Sequence, residues 1–303
     1  MKVGILGLGT VGGGVVNVLQ KNSKSIKRRT GVEIELVIAG VRDISKKRIC
    51  DTKKIQLTED PFEVVNHPDI DVVLELIGGF GLAKELVEQA INNGKHIITA
   101  NKALIGNHGN ELIKLANKKK VRFLFEASVA GGIPIIKALE QGLSANNIES
   151  VAGIINGTGN FILTDMKEKG RDFNDVLKEA QALGYAEEDP TFDIEGIDAA
   201  HKLSILAAIA FGTEIQFDKI FTEGISNIST EDILHATELG YTIKHLGIAK
   251  RAENGIELRV HPTLVPNNKL IAQVDGVMNA VMVKSDALGT SLYYGPGAGD
   301  EAT

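Results

Sequence analysis

The chain has 303 residues, 43% of them hydrophobic and 24% charged, a balance that fits one large or two ordinary globular domains with cores of their own. With 33 basic and 39 acidic residues its net charge is −6, so no basic field exists to draw nucleic acid or an anionic membrane. A single cysteine, Cys50, excludes an internal disulfide and fits a reducing compartment; with no leader pattern at the N-terminus and no apolar run of membrane-spanning length, a cytoplasmic location is expected.

Lys2 to Leu6 is a short β-branched apolar run, expected as a buried strand. It passes into Gly7-Leu8-Gly9-Thr10-Val11-Gly12 and then into a helical stretch from Val15 to Gln20. This is G-x-G-x-x-G with a strand before it and a helix after it, the setting in which the motif cradles a dinucleotide pyrophosphate. The helix N-terminus adds unpaired N–H groups and the positive end of its dipole. Further strands are expected at Glu33 to Val41, Val72 to Ile77, His96 to Thr99 and Arg122 to Glu126. Helices are expected at Pro61 to Asn66, Leu82 to Asn93 and Glu111 to Asn117. Such alternation predicts a doubly wound parallel sheet of the Rossmann type over residues 1–130. Ligands sit at the carboxyl ends of the strands in such sheets, which gathers Gly7 to Gly12, Arg42, Gly78-Gly79, Asn101-Lys102 and Glu126 around one crevice. Arg42, followed by Lys46, Lys47 and Arg48, favours the 2′-phosphate of NADP, whereas Asp43 keeps NAD open.

In the second half, helices are expected at Ile135 to Ala145, Phe173 to Leu183, Gly196 to Phe211 and Glu231 to Leu239. Strands are expected at Glu149 to Ile155, Thr242 to Lys250, Ile256 to Val265 and Val277 to Ser285, with a glycine turn at Asn156 to Asn160 leading into a further helix. The pattern predicts an α+β substrate domain over 131–294, with a mixed sheet whose open face could make a dimer, and a closing segment over 295–303. One stretch carries unusual chemistry. Glu187, Glu188, Asp189, Asp193 and Asp198 lead into a helix too apolar to lie on a surface, and Asp198 and Lys202 fall one turn apart on one face of it. A charged pair at the mouth of a buried helix is costly to desolvate and marks a candidate site.

These segments resemble the homoserine dehydrogenase family through most of the chain. The resemblance rests on GLGTVG at Gly7 to Gly12, TANKALI at Thr99 to Ile105, EASVAGGIPII at Glu126 to Ile136 and NGTGNFIL at Asn156 to Leu163. It continues in GYAEEDPTFDIEGIDAAHKL at Gly184 to Leu203 and YYGPGAG at Tyr293 to Gly299. It implies NAD(P)H-dependent reduction of aspartate 4-semialdehyde to homoserine by a homodimer. The cofactor would be held by Gly7, Leu8, Gly9, Thr10, Val11, Gly12, Arg42, Gly78, Lys102 and Gly299. Glu187 matches the position that receives the substrate ammonium; Gly157, Thr158 and Tyr185 line the same pocket, with Asp193 and Asp198 as its acidic wall. Lys202 matches the proton donor, aimed by Asp198, with Lys102 beside the nicotinamide as the competing lysine. Glu126, Val129, Gly131 and Ile133 match a monovalent-cation site, for sodium.

Two departures from the family pattern stand out. Relatives continue past PGAG with an apolar helix returning to the cofactor domain, and many carry a regulatory domain beyond it, whereas this sequence ends at Thr303. The segment from Gly295 to Thr303 is therefore expected to be mobile without cofactor. Where some relatives have a hydroxyl residue near the nicotinamide, this chain has Ile77-Gly78-Gly79. Two other readings are an NADP-binding regulatory protein without catalysis and an aspartate-semialdehyde dehydrogenase; the latter needs a cysteine nucleophile, and Cys50 lies on the adenosine side.

Overall fold

The computed structural model describes residues 1–299, and its backbone falls into two units, one of Met1–Gly131 together with Gly299, the other of Gly132–Ala298. The division places Gly295 to Ala298, expected in a separate closing segment, with the second unit.

In the first unit the run Lys2–Leu6 (β1) alternates between two cores. Val3 and Ile5 pack with Val16 of the helix Thr10–Thr30 (α1), whereas Leu6 points to the opposite side. The strands Glu35–Gly40 (β2) and Gln56–Thr58 (β3) follow, then the helix Pro61–Asn66 (α2) and the strand Val72–Glu75 (β4). After these come Gly81–Asn92 (α3), His96–Thr99 (β5), Lys102–Lys119 (α4) and Phe123–Leu124 (β6). The six strands form one parallel sheet in the order β3-β2-β1-β4-β5-β6. On one face Leu6, Ile38, Val73 and Ile97 bury against Val64, Leu86, Leu104 and Leu112 of α2, α3 and α4. Each fully buried aliphatic of this kind contributes about 1.5–3 kcal/mol relative to exposure. On the other face α1 leaves an apolar groove of about 210 Å3, lined by Val11, Val15, Leu74, Leu76 and Ile98 among others.

The expected elements are all present in this unit; Lys2–Leu6, Pro61–Asn66 and His96–Thr99 keep the expected ends and the others shift. The helix expected over Val15 to Gln20 runs from Thr10 to Thr30 and stops at Gly31 in the left-handed conformation, with Lys27, Arg28 and Arg29 in its last turn. The helix expected over Glu111 to Asn117 begins at Lys102, where the Asn101 side chain accepts from Leu104 N at 3.0 Å. The strand expected to reach Glu126 ends at Leu124, and Glu126–Ser128 forms a 3₁₀ turn.

The second unit opens with a short helix, Ile135–Lys137 (α5), that continues as a π turn over Ala138–Gly142 rather than as α-helix to Ala145. It goes on through Ile148–Ile154 (β7), Gly157–Lys169 (α6), Phe173–Ala182 (α7), Thr191–Ile194 (α8) and Ile197–Phe211 (α9). Phe221–Thr222 (β8), Thr230–Glu238 (α10), Tyr241–Ala252 (β9), Gly255–Pro266 (β10), Met278–Ser285 (β11) and Gly289–Pro296 (β12) complete it. The sheet order is β12-β11-β7-β9-β10-β8, antiparallel except where β8 joins β10, so the sheet is mixed. β12 was not foreseen. Gly295 and Pro296, expected to be mobile, pair with Asn279 and Met278, and Pro296 O accepts from Gly132 N at 3.0 Å; ladder pairing overrides the tendency of an end segment to fray. Residues 300–303 lie outside the described residues.

Candidate active site

In the first unit, the glycines of the first turn have separable reasons. Gly7 has φ +95°, and a Cβ there would stand 2.8 Å from Leu76 O. A Cβ on Gly12 would stand 2.0 Å from Gly7 O, so the α1–β1 approach itself forbids a side chain. Gly9 is different: a Cβ there would meet nothing within 4 Å of the chain. The chain does not need a glycine at Gly9, but a pyrophosphate resting on the backbone would. Gly9 is also the N-cap of α1, whose first turn holds no acidic residue, and the segment through Leu8, Thr10 and Val11 presents a helix N-terminus suited to an anion. The residues fit a dinucleotide.

At the end of β2, Arg42 is exposed and makes no hydrogen bond or ion pair with the described residues. Asp43 Oδ1 accepts from Ser45 Oγ at 2.6 Å and Ser45 N at 2.7 Å, hydrogen bonds that hold its carboxyl below the usual carboxylate range. Arg48 donates to the carbonyls of Asp43, Ile44 and Lys46. Asp43 and Arg48 thus build the loop and Arg42 is left facing solvent, an arrangement suited to a 2′-phosphate. Arg42→Ala is expected to weaken NADP binding by roughly tenfold or more, as for a lost charge-assisted hydrogen bond, and NAD binding much less. Titration of both cofactors checks it, and equal losses would remove Arg42 from 2′-phosphate recognition.

Near the ends of β4 and β5, Gly78 and Gly79 sit at φ +72° and +69°, and Lys102 opens α4. Gly299, at φ +121°, closes the described chain. Glu126 starts the 3₁₀ turn, and Val129 is buried; Ala130 and Gly131 follow at φ 55° and 41°. Ile133 is buried in the second unit. Among the described residues no group of three or more His, Cys, Asp or Glu side chains could hold a metal, which leaves a carbonyl-rich set the kind to consider for a hard cation. Cys50 packs beside α1, and burial pushes its thiol up, the reverse of an activated nucleophile.

The second unit draws together much of the acidic stretch. Lys202 Nζ donates to Asp198 Oδ2 at 2.7 Å and to Ile155 O at 2.8 Å. Asp198 is 1% exposed, and the Lys202 side chain 13%. The Asn156 amide donates to Asp193 Oδ1 at 2.7 Å and Asp198 Oδ2 at 2.9 Å, while its Oδ1 accepts from Gly159 N at 2.7 Å and caps α6. Asn156 therefore links both expected acidic residues and the expected proton donor to one helix N-terminus. In the sequence Asn156 stands out as the start of a glycine turn rather than as a site residue, although an Asn ahead of a helical run is a recognisable cap signal. Gly157 lies against the Val277 carbonyl, with no room for a Cβ. Thr158 Oγ1 donates to Tyr185 O at 2.6 Å, and the Tyr185 ring meets Phe161 edge-on at 5.1 Å. Glu187 lies on the same turn, whose carbonyls at Glu187 and Glu188 accept from Gln181. Its own carboxylate is exposed and makes no hydrogen bond or ion pair with the Asp193–Asn156–Asp198–Lys202 chain.

A family profile described as homoserine dehydrogenase matches residues 134–303, and the homoserine dehydrogenase NAD-binding domain matches residues 7–126. The chain belongs to the homoserine dehydrogenase family. It is 63% identical to the homoserine dehydrogenase of Pseudomonas aeruginosa over its whole length, covering 69% of that relative. It is 45% identical to that of Bacillus subtilis, covering 70%. A crystal structure of a homoserine dehydrogenase from Thiobacillus denitrificans superposes with TM-score 0.97 at 62% identity, over all of this chain and 70% of that one. A hyperthermophilic archaeal homoserine dehydrogenase in complex with NADPH superposes with TM-score 0.81 at 25% identity, over all of this chain and 93% of that one. Homoserine dehydrogenases are NAD(P)-dependent oxidoreductases, and the nicotinamide cofactor and parallel-sheet domain expected from sequence both stand. No helix among the described residues is long and apolar enough to cross a membrane.

Proposed function

We propose that the chain reversibly reduces L-aspartate 4-semialdehyde to L-homoserine with NADPH in preference to NADH, a step of threonine and methionine biosynthesis. Family membership supports the reaction, and the observation that carries the chemistry is the buried Lys202–Asp198 pair held by Asn156. Gly7 to Gly12, Arg42, Gly78, Lys102 and Gly299 would hold the cofactor, which when bound supplies the hydride. As C4 of the aldehyde gains that hydride, its oxygen needs a proton. Lys202 is the donor: Asp198 Oδ2 and Ile155 O take two of its three N–H directions, leaving the third for the substrate oxygen. In the reverse direction the same nitrogen accepts the alcohol proton. Lys102 binds substrate and cofactor and is the second candidate for the proton.

Glu187, with its carboxylate exposed and unengaged, receives the substrate ammonium, while Asp193, Gly157, Thr158 and Tyr185 line the pocket. Glu187→Ala is expected to raise KM for homoserine about tenfold or more, the size of a lost charge-assisted hydrogen bond, with kcat much less affected. A KM within twofold of the parent would contradict the assignment. Homoserine-dependent growth of reduced-nicotinamide absorbance by the purified chain tests the whole reading, and its absence would favour a binding protein without catalysis.

Glu126, with carbonyls of Val129, Gly131 and Ile133, would hold a monovalent cation, sodium by its oxygen chemistry, in a structural role. Support comes from the consecutive left-handed Ala130 and Gly131, since a non-glycine residue holds such a conformation only where its surroundings require it. A homodimer is supported by the sheet of the second unit. Leu292, Met282, Ala152 and Ile248 stand in register across β12, β11, β7 and β9, and each is only partly buried. The row borders the chain's own cluster of Ile154, Leu246 and Ala280, and its partly buried apolar side chains across four strands suit an interaction face.

A further inference from the structure

Glu75, the last residue of β4, is fully buried at 0% exposure and forms no ion pair among the described residues. A carboxylate in such a place is costly unless each oxygen is hydrogen-bonded. Oε2 accepts from Thr99 Oγ1 at 2.6 Å; Oε1 accepts from Ile77 N at 3.1 Å and, at 3.4 Å, from Asn101 Nδ2. None of these donors belongs to a core helix. Ile77 opens the Gly78-Gly79 loop, Thr99 ends β5, and Asn101 caps α4 one residue before Lys102. The network then closes on itself. Asn101 N donates to Thr99 Oγ1 at 2.9 Å, and Asn101 Nδ2 donates to Gly79 O at 2.5 Å.

The Gly78-Gly79 loop has little else to fix it. Both residues are left-handed, and a Cβ on either would meet nothing within 4 Å, so packing holds Ile77 against the core but fixes neither glycine after it. Its two anchors here are Ile77 N on Glu75 and Gly79 O on Asn101. A leucine at the end of β4 would fill the same core more cheaply, but it could not order two strand-end loops at once. We infer that Glu75 is a positioning residue for the nicotinamide half of the cofactor cleft. It holds the 77–79 loop and the 99–102 segment that carries Lys102, whereas Arg42, at the adenosine end, shares no hydrogen bond with its network. This rests on the chain being an NAD(P)-dependent dehydrogenase.

The test compares NADPH with 2′,5′-ADP, which carries only the adenosine half. Glu75→Leu removes every acceptor, whereas Glu75→Gln keeps an oxygen for Ile77 N and Asn101 and serves as the conservative control. Glu75→Leu is expected to weaken NADPH about tenfold, the size of one or two lost hydrogen bonds to a charged group, with 2′,5′-ADP unchanged within twofold. The primary deuterium isotope effect with 4-deuterated NADPH should rise, and Glu75→Gln should restore most of both. Thr99→Val should shift the same ratio in the same direction, and Thr99→Ser should leave it alone; this pair decides the matter if Glu75→Leu does not fold. Equal weakening of both ligands, or a lowered Tm with an unchanged ratio, would overturn the inference. If the parent chain itself fails to oxidise homoserine, the proposed reaction falls, but the binding ratio still reports on Glu75.

Discussion

Lys202→Ala is expected to lower turnover by roughly a hundredfold or more, the usual size of a general acid–base contribution, with NADPH affinity unchanged within twofold. The expectation rests on the third N–H of Lys202, the one that neither Asp198 nor Ile155 takes. Removing one partner of a buried ion pair commonly costs about 3–5 kcal/mol, because the other charge is stranded. Here the stranded carboxylate keeps the Asn156 amide at 2.9 Å, so a lower Tm is expected but not loss of the fold. Lys202→Arg separates the two effects. It restores a cation to Asp198 and should recover Tm, yet guanidinium holds its protons too tightly to exchange one with the alkoxide, so turnover should stay low. Measured kcat and Tm for both variants check this. Turnover near the parent's in Lys202→Ala would move the proton to Lys102.

The fold was legible wherever burial imposed a period. β1 and the last helix of the acidic motif announce themselves because most positions are buried and none is exposed: Val3 to Leu6 are buried in one, Asp198 to Ala200 and Leu203 to Ala207 in the other. Legibility failed where elements run past the core. The second half of α1 is solvated, so its lysines and arginines show no apolar stripe, and its end is set by Gly31 and a favourable dipole instead. β3 has three residues at a sheet edge, too few for alternation to register. β12 was obscured by its two glycines and its proline, which read as an exit segment although its ladder with β11 runs from Ser285–Gly289 to Met278–Pro296.

The site divides in the same way. Charged residues in apolar settings, such as Asp198 and Lys202, were visible because their burial is chemically expensive. Asn156 was not, because its importance comes from bridging residues 37 and 42 positions away, and no local pattern encodes that distance. Glu75 carries a signal of its own in the sequence: it is a lone acid inside the apolar run Val72 to Ile77. A carboxylate at a buried strand end is as anomalous as one at the mouth of a buried helix, and the same reasoning applies to it.

Gly9→Ala and Gly12→Ala should fail for opposite reasons, and the contrast tests the cofactor cradle apart from any chemistry. At Gly12 the added methyl would stand 2.0 Å from Gly7 O, a backbone atom that can yield only by moving the turn or the helix. Tm should fall markedly, by an amount on the order of 1–3 kcal/mol or more of stability for such overpacking, and cofactor affinity should fall with it. At Gly9 the backbone has φ −77°, which alanine adopts, and the methyl would enter open space. That variant should keep its parent's Tm in the absence of cofactor. A pyrophosphate lying on the Gly9 backbone would meet the new methyl instead, so NADPH binding should weaken about tenfold or more, since even one misplaced methyl forces charged hydrogen bonds to lengthen. Thermal unfolding with and without NADPH reads both quantities: the ligand-induced rise in Tm should shrink in Gly9→Ala from an unchanged baseline. If Gly9→Ala binds NADPH as the parent does, the pyrophosphate does not cross Gly9, and the G-x-G-x-x-G turn serves only to pack α1 against β1.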